Sequence, residues 1–162
     1  MGRSRGGLTS KIHLAADSRC RLLARVTSAG QRNDSLGFEP VMADLRIRRR
    51  GPGRPRTRPS RVLADKAYSS RAIRSHLRRR KIKAVIPEPS DQINNRQRKG
   101  SRGGRPPGFD REAYKARNVV ERAINKLKQH RAVATRFDKR DFVWRGTVDV
   151  AAIRIWLGDP VQ

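Results

Sequence analysis

At 162 residues and 18.4 kDa the chain has the length of one domain, large enough to bury a single core and too short for a second full domain. Forty Lys and Arg against 14 Asp and Glu give a formal charge of +26, which repels itself unless a polyanion is at hand; the arginine-rich balance points to nucleic acid, because guanidinium forks match phosphate oxygens at any cellular pH. No stretch approaches the ~20 apolar residues that span a bilayer, and the opening MGRSRGGLTSK lacks the apolar core of a signal peptide, so a cytoplasmic protein with no membrane partner is expected.

Along the chain, Lys11 to Ser28 alternates apolar and polar side chains about the break DSR, with Ile12, Leu14 and Ala16 before it and Leu22, Ala24 and Val26 after it. This pattern predicts a β-hairpin with Asp17 in its turn. The lone Cys20 can form neither an internal disulfide nor a cysteine zinc site and reads as a buried small hydrophobe. Asn33 or Asp34 is placed to cap a helix through LGFEPVMADLRIR, where Pro40 is tolerable in the first turn. Arg48 to Ser60 carries three Pro and two Gly amid like charges, so residues 46–61 are expected to form a basic mobile loop. A short strand from Arg61 to Ala64 ends at Asp65, a helix follows with Ile73 and Leu77 at helical spacing, and KAVIP is a second short strand stopped by Pro87. Strand, helix, strand in that order predicts a parallel α/β unit. Residues 88–109 are polar, Gly-rich and basic and are expected to be a second mobile loop. A helix from Tyr114 to Arg131 and an apolar terminal segment of helical character complete the chain. His13, His76 and His130 lack metal-ligand spacing and read as surface residues, while Trp144 and Trp156 read as core or rim aromatics.

The helix YKARNVVERAINKLKQHR sets a glutamate among cations in a chain poor in acids. At roughly 100° per residue, Tyr114, Arg117, Glu121 and Lys128 fall within an arc of about 60° beside an apolar face of Val119, Val120, Ala123, Ile124 and Leu127. From geometry alone, Glu121 would pair with Arg117 and Asn125, contacts of a few tenths of a kcal/mol.

The spacing carries more. Tyr, two residues, Arg, three residues, Glu, six residues, Lys resembles the signature that closes the catalytic domain of DDE transposases of bacterial insertion sequences. The stretches GRSRGGLTSKIHLAAD, GQRNDS, VLADKAYSS and RNVVERAINKLKQHRAVATRFDK are similar to successive blocks of such enzymes, in the same order, over nearly the whole chain. The resemblance implies a ribonuclease-H-like α/β fold, a mixed sheet with flanking helices. It implies two divalent ions, Mg2+ or Mn2+, held by two aspartates and a glutamate for phosphoryl transfer at a DNA strand. Asp65 matches the second aspartate and Glu121 the glutamate, both catalytic and metal-ligating; Tyr114, Arg117 and Lys128, with Lys66 beside Asp65, match DNA-contacting positions. DKAY has Ala67 where the family often has glycine.

The family's first aspartate lies on a first strand upstream of the block that begins at Gly2. The resemblance therefore implies a partial catalytic domain over residues 1–162 that lacks the first strand, is inactive alone, and is partnered by transposon-end DNA, by an upstream transposase segment and by further copies of itself. The contrasting reading is a basic nucleic-acid-binding module without catalysis. It predicts no relation among the few acids, whereas Asp65 at a strand end and Glu121 on a helix stand where the enzyme requires them.

Overall fold

The computed structural model describes residues 2–4, 7–136 and 140–158. The chain folds as two compact units, the first formed by Met1–Thr57 with Asn118–Gln162 and the second by Arg58–Arg117. The described strands form two separate small sheets, of three and two strands, so the protein is mixed α/β.

In the first unit, β1 (Gly2–Ser4), β2 (Gly7–Ala16) and β3 (Leu22–Ala29) form an antiparallel sheet in sequence order. The expected hairpin is present. Its turn is held by Asp17, whose Oδ1 accepts from the backbone N–H of Arg19 and of Arg21, both at 3.0 Å, and Cys20 is buried there at φ +63°. The two sheet faces are covered by different helices. Ile12, Leu14 and Leu22 pack with Leu127 of α5 (Val119–Lys128) and with Trp144 and Val148 of α7 (Asp141–Gly158). Ala15, Leu23, Ala24 and Val26 pack on the other face with Val41 of α1 (Phe38–Asp44) and with Leu45. Strict alternation would put Leu22, Ala24 and Val26 on one face. A register shift at Ala15/Ala16 breaks it, because a bulge inserts an extra residue and turns the strand over.

The helix expected after Asn33 starts as a 3-10 turn, Asp34–Gly37, capped by Asn33 Oδ1 on the Ser35 N–H at 3.0 Å, and continues as α1 with Pro40 in its first turn. It ends at Asp44. Ile47 and Arg56 then form an isolated antiparallel bridge, so the basic segment after α1 is irregular but closed at its base. His13, expected at the surface, is buried: its Nε2 lies 2.7 Å from Ser28 Oγ on the face that α1 covers.

The second unit begins with the predicted strand, helix, strand motif. Strands β4 (Arg61–Leu63) and β5 (Lys83–Val85) pair in parallel, joined by α2 (Arg71–Arg79), whose first turn Ser70 caps through the Ile73 N–H at 3.2 Å. Ile73, Leu77, Ile82, Val85 and Ile86 are buried, with Leu77 and Val85 wholly inaccessible. Residues 88–109 differ from the loop expected there: Ser90–Arg98 is helical (α3) and Gly100–Gly103 is a 3-10 turn. Tertiary bonds supply what an apolar stripe does not. Gln92 bonds Ser69 through both its amide atoms, at 3.1 and 2.8 Å, and Arg96 pairs with Glu88.

The single helix expected from Tyr114 to Arg131 is broken. It comprises α4 (Arg111–Tyr114), a 3-10 segment Lys115–Asn118, α5, and the short α6 (Arg131–Thr135). Four residues of 3-10 helix interrupt the α-helical repeat on which the expected common stripe depended.

Candidate active site

Strand β4 carries the chain to Asp65, which leaves the strand with extended backbone and turns into a 3-10 helix, Lys66–Tyr68. The Asp65 carboxylate caps that turn, accepting the Ala67 N–H at 2.9 Å. One oxygen has a backbone donor and the group is half-buried, an arrangement that fixes its direction at the carboxyl end of a parallel strand. Lys66 follows it and is exposed.

Tyr114 and Arg117 belong to the same unit. The Tyr114 ring meets Phe109 edge-on, centroids 5.2 Å apart at 61°, and the Arg117 guanidinium lies 5.9 Å from the Tyr114 ring centroid. The phenol is thereby held between an aromatic edge and a cation. The start of α4 is set by Asp110, which accepts the Ala113 N–H at 2.9 Å and Lys83 Nζ at 2.8 Å. The lysine bond, and next the backbone N–H, hold the Asp110 carboxyl below the ordinary carboxylate range.

Glu121 and Lys128 lie in the first unit, both exposed, on α5. Glu121 sits in the first turn, where the helix dipole favours an anion, and Lys126 and Lys128 sit in the last, where it favours cations. Lys126 Nζ also reaches the Arg19 carbonyl at 3.3 Å. Buried Ala123 and Leu127 fix which face of α5 turns inward, so Glu121 and Lys128 are placed by packing as well as by helical spacing.

The predicted site residues are thus divided: Asp65, Lys66, Tyr114 and Arg117 in one unit, Glu121 and Lys128 in the other. The two carboxylates are hard oxygen donors of the kind magnesium prefers. In number they fall short, since no three His, Cys, Asp or Glu among the described residues form a group able to hold a metal ion. No described helix is long and apolar enough to cross a membrane.

The polar features that sequence reasoning missed are His13 with Ser28 and the break at Lys115–Asn118. Small residues on the second face of the hairpin, Ala15 and Ala24, were the available signal that a helix covers it and buries the neighbouring His13.

Two small units of mixed α/β structure, a carboxylate at the end of a parallel strand and a helix bearing Glu121 among cations make a basic α/β protein of charge +26. The family model described as the transposase DDE domain matches residues 2–148, and the chain belongs to that family. No curated protein and no solved structure matches it significantly. Membership carries the general properties of the family: a ribonuclease-H-like domain class, action on DNA in transposition, and use of divalent metal ions.

Proposed function

We propose that this chain is the part of a DNA transposase that contributes Asp65 and Glu121 to metal-dependent cleavage and joining of DNA strands. The supporting observation is the placement of both carboxylates: Asp65 is directed at the carboxyl end of a parallel strand by its bond to the Ala67 N–H, and Glu121 is set on the outward side of a helix whose inward side is fixed. Asp65 and Glu121 are the residues that would hold Mg2+ or Mn2+; such ions, when bound, activate the attacking oxygen and stabilise the leaving one at a phosphodiester.

Other residues of the two units orient the nucleic acid. Arg117 and Lys128 bring positive charge to phosphate oxygens, Tyr114 presents a hydroxyl from a ring held by Phe109, and exposed Lys66 adds a further cation next to Asp65. Together they position the backbone and read no bases.

The family's site uses two aspartates and a glutamate, of which Asp65 and Glu121 match two, so the chain alone is expected to bind DNA without cutting it. A related transposase's strand bearing the first aspartate, joined to the amino end, should supply the missing carboxylate. The test compares strand cleavage and transfer by the chain and by that fusion, in Mg2+ or Mn2+. Cleavage should appear in the fusion, collapse in its Asp65→Asn and Glu121→Gln forms, and leave DNA binding intact in both. A fusion that cuts equally well with either substitution sinks the assignment.

A second reading, a basic nucleic-acid-binding module without catalysis, is favoured by the cap that Asp65 already makes. Under it, neither the fusion nor its variants cleave.

A further inference from the structure

Beyond the carboxylates, the most distinctive charged feature of the first unit is the segment after α1. Ile47 and Arg56 exchange two backbone hydrogen bonds, N–H to O at 2.9 and 2.7 Å, and close the segment between them into a tongue. The base is anchored, because Ile47 packs against the cluster of Ala24, Val41 and Leu45. The rest is exposed from Arg48 to Arg56. A Cβ built on Gly51 or Gly53 would meet no atom within 4 Å, so both glycines face open space.

The tip has the sequence Arg-Arg-Arg-Gly-Pro-Gly-Arg-Pro-Arg. Gly53 stands at φ +124°, a backbone conformation other residues avoid, and Pro55 biases Arg54 towards extended geometry. The result is a tight tip, bent at residues 50–53, thinned by glycine, stiffened by proline and edged with arginine.

We propose that this tongue enters the minor groove of duplex DNA and selects A·T-rich sequence, with Arg54 reaching the groove floor. This rests on the reading of DNA as the partner and adds a groove and a base class to it. Helices fit the major groove, about 12 Å wide; the minor groove, about 6 Å wide, is reached by slender arms and single side chains, so the tip would lie at its mouth with Arg54 inserted. Its floor at A·T pairs shows acceptors alone, and a guanidinium supplies donors alone. A G·C pair places the guanine amino group, another donor, in the way. Narrow A-tract grooves also carry enhanced negative potential that attracts arginine. Arg48, Arg49 and Arg56 flank Arg54 in sequence and are exposed, suited to the phosphates lining the groove. Pro55, whose ring fixes its φ, reduces the ordering cost of insertion. The tripeptide Gly-Arg-Pro recurs at Gly104 to Pro106, where Gly104 also has positive φ, at +73°, and Arg105 is exposed.

The test measures binding of the full chain to A·T-only and G·C-only duplexes of equal length at one salt concentration, with distamycin as a minor-groove competitor. The A·T duplex should bind about tenfold tighter, the scale of one base-pair discrimination, and distamycin should displace the chain from it. Arg54→Ala should bring the two affinities together while changing the G·C affinity by no more than about twofold, with an unchanged thermal melt because Arg54 is exposed. Arg54→Lys keeps the charge but offers a more strongly hydrated point donor, so it should lose most of the preference too. Equal affinity for both duplexes in the parent chain, or a preference unchanged in Arg54→Ala, overturns the proposal while leaving the transposase reading in place. Loss in Arg54→Ala that is uniform over both duplexes and restored by lysine marks a phosphate contact and overturns it as well. A chain that binds no DNA overturns both readings.

Discussion

The guanidinium of Arg25 on β3 forks onto the carboxylate of Asp149 on α7, Nε to Oδ1 at 2.7 Å and Nη2 to Oδ2. Two residues along the same strand, Thr27 Oγ1 donates to Asp141 Oδ2 at 2.7 Å near the start of that helix. Alternate residues of one strand thus meet acids two turns apart on one helix, and this matching fixes α7 on the hairpin face opposite α1. Arg25 is the more enclosed partner, its side chain 13% exposed against 49% for Asp149.

Removing Asp149 therefore leaves an enclosed cation without its bidentate partner. Asp149→Ala should cost about 1–2 kcal/mol in urea unfolding, the scale of a charge-assisted hydrogen bond. Arg25→Ala combined with it should cost less than the sum of the two single changes. Strict additivity would mean the pair contributes nothing beyond its separate side chains.

Burial holds the His13 imidazole below its ordinary pKa of 6.5; Asp34 opposes that shift and Lys11 adds to it. Below about pH 6.5 the unfolded chain takes up a proton that the folded chain resists, so this group makes stability fall as pH drops from about 6.5 towards the folded value. Above pH 6.5 it contributes no slope. Unfolding free energies between pH 5 and 8 should show this acid-side loss, and His13→Gln, which stays neutral, should flatten it. An unaltered profile in His13→Gln would assign the slope to other groups.

Packing at the same histidine gives a steric test. A Cβ on Gly37 would lie 2.4 Å from His13 Cγ, far inside contact distance. Gly37→Ala should destabilise by about 1–3 kcal/mol, as overpacking of a filled site does. If its stability equals the parent's, the ring has room to move and the second face of the hairpin is looser than described.

In the second unit, Leu77 is wholly inaccessible on α2, in the helix that joins the parallel strands β4 and β5. Leu77→Ala should cost about 2–5 kcal/mol through lost transfer energy and the cavity left behind. A cost under about 1 kcal/mol would indicate that the site collapses around the smaller side chain.

Much of this architecture is legible in the residues. Alternation marks the hairpin, and short apolar runs on either side of Ile73 and Leu77 mark the parallel motif, because both signals come from burial. The face change at the bulge is not legible, since one extra residue leaves the alternation nearly intact. Helix α3 hides for a different reason: SDQINNRQR has no apolar stripe, and the bonds of Gln92 to Ser69 and Arg96 to Glu88 link it to residues outside the helix. For the site, Asp65 at a strand end could be read directly. The 3-10 turn at Lys115–Asn118, and with it the boundary that separates Arg117 from Glu121, could not, because no residue in KARN forbids a continuous α-helix.

Charge at α5 supplies the last prediction. A carboxylate lowers the positive potential that draws phosphates whatever it pairs with, so the Glu121→Gln variant should bind DNA at least as tightly as the metal-free parent. Adding Mg2+ at constant ionic strength should then strengthen the parent's binding and leave Glu121→Gln nearly unchanged. Lys128→Ala should weaken binding to all sequences alike and reduce the salt slope by about one, as loss of a single phosphate contact does. A glutamate that merely pairs with its neighbours on the helix surface would give parent and Glu121→Gln the same magnesium response. That result would separate a metal-holding carboxylate from a structural one without any appeal to cleavage.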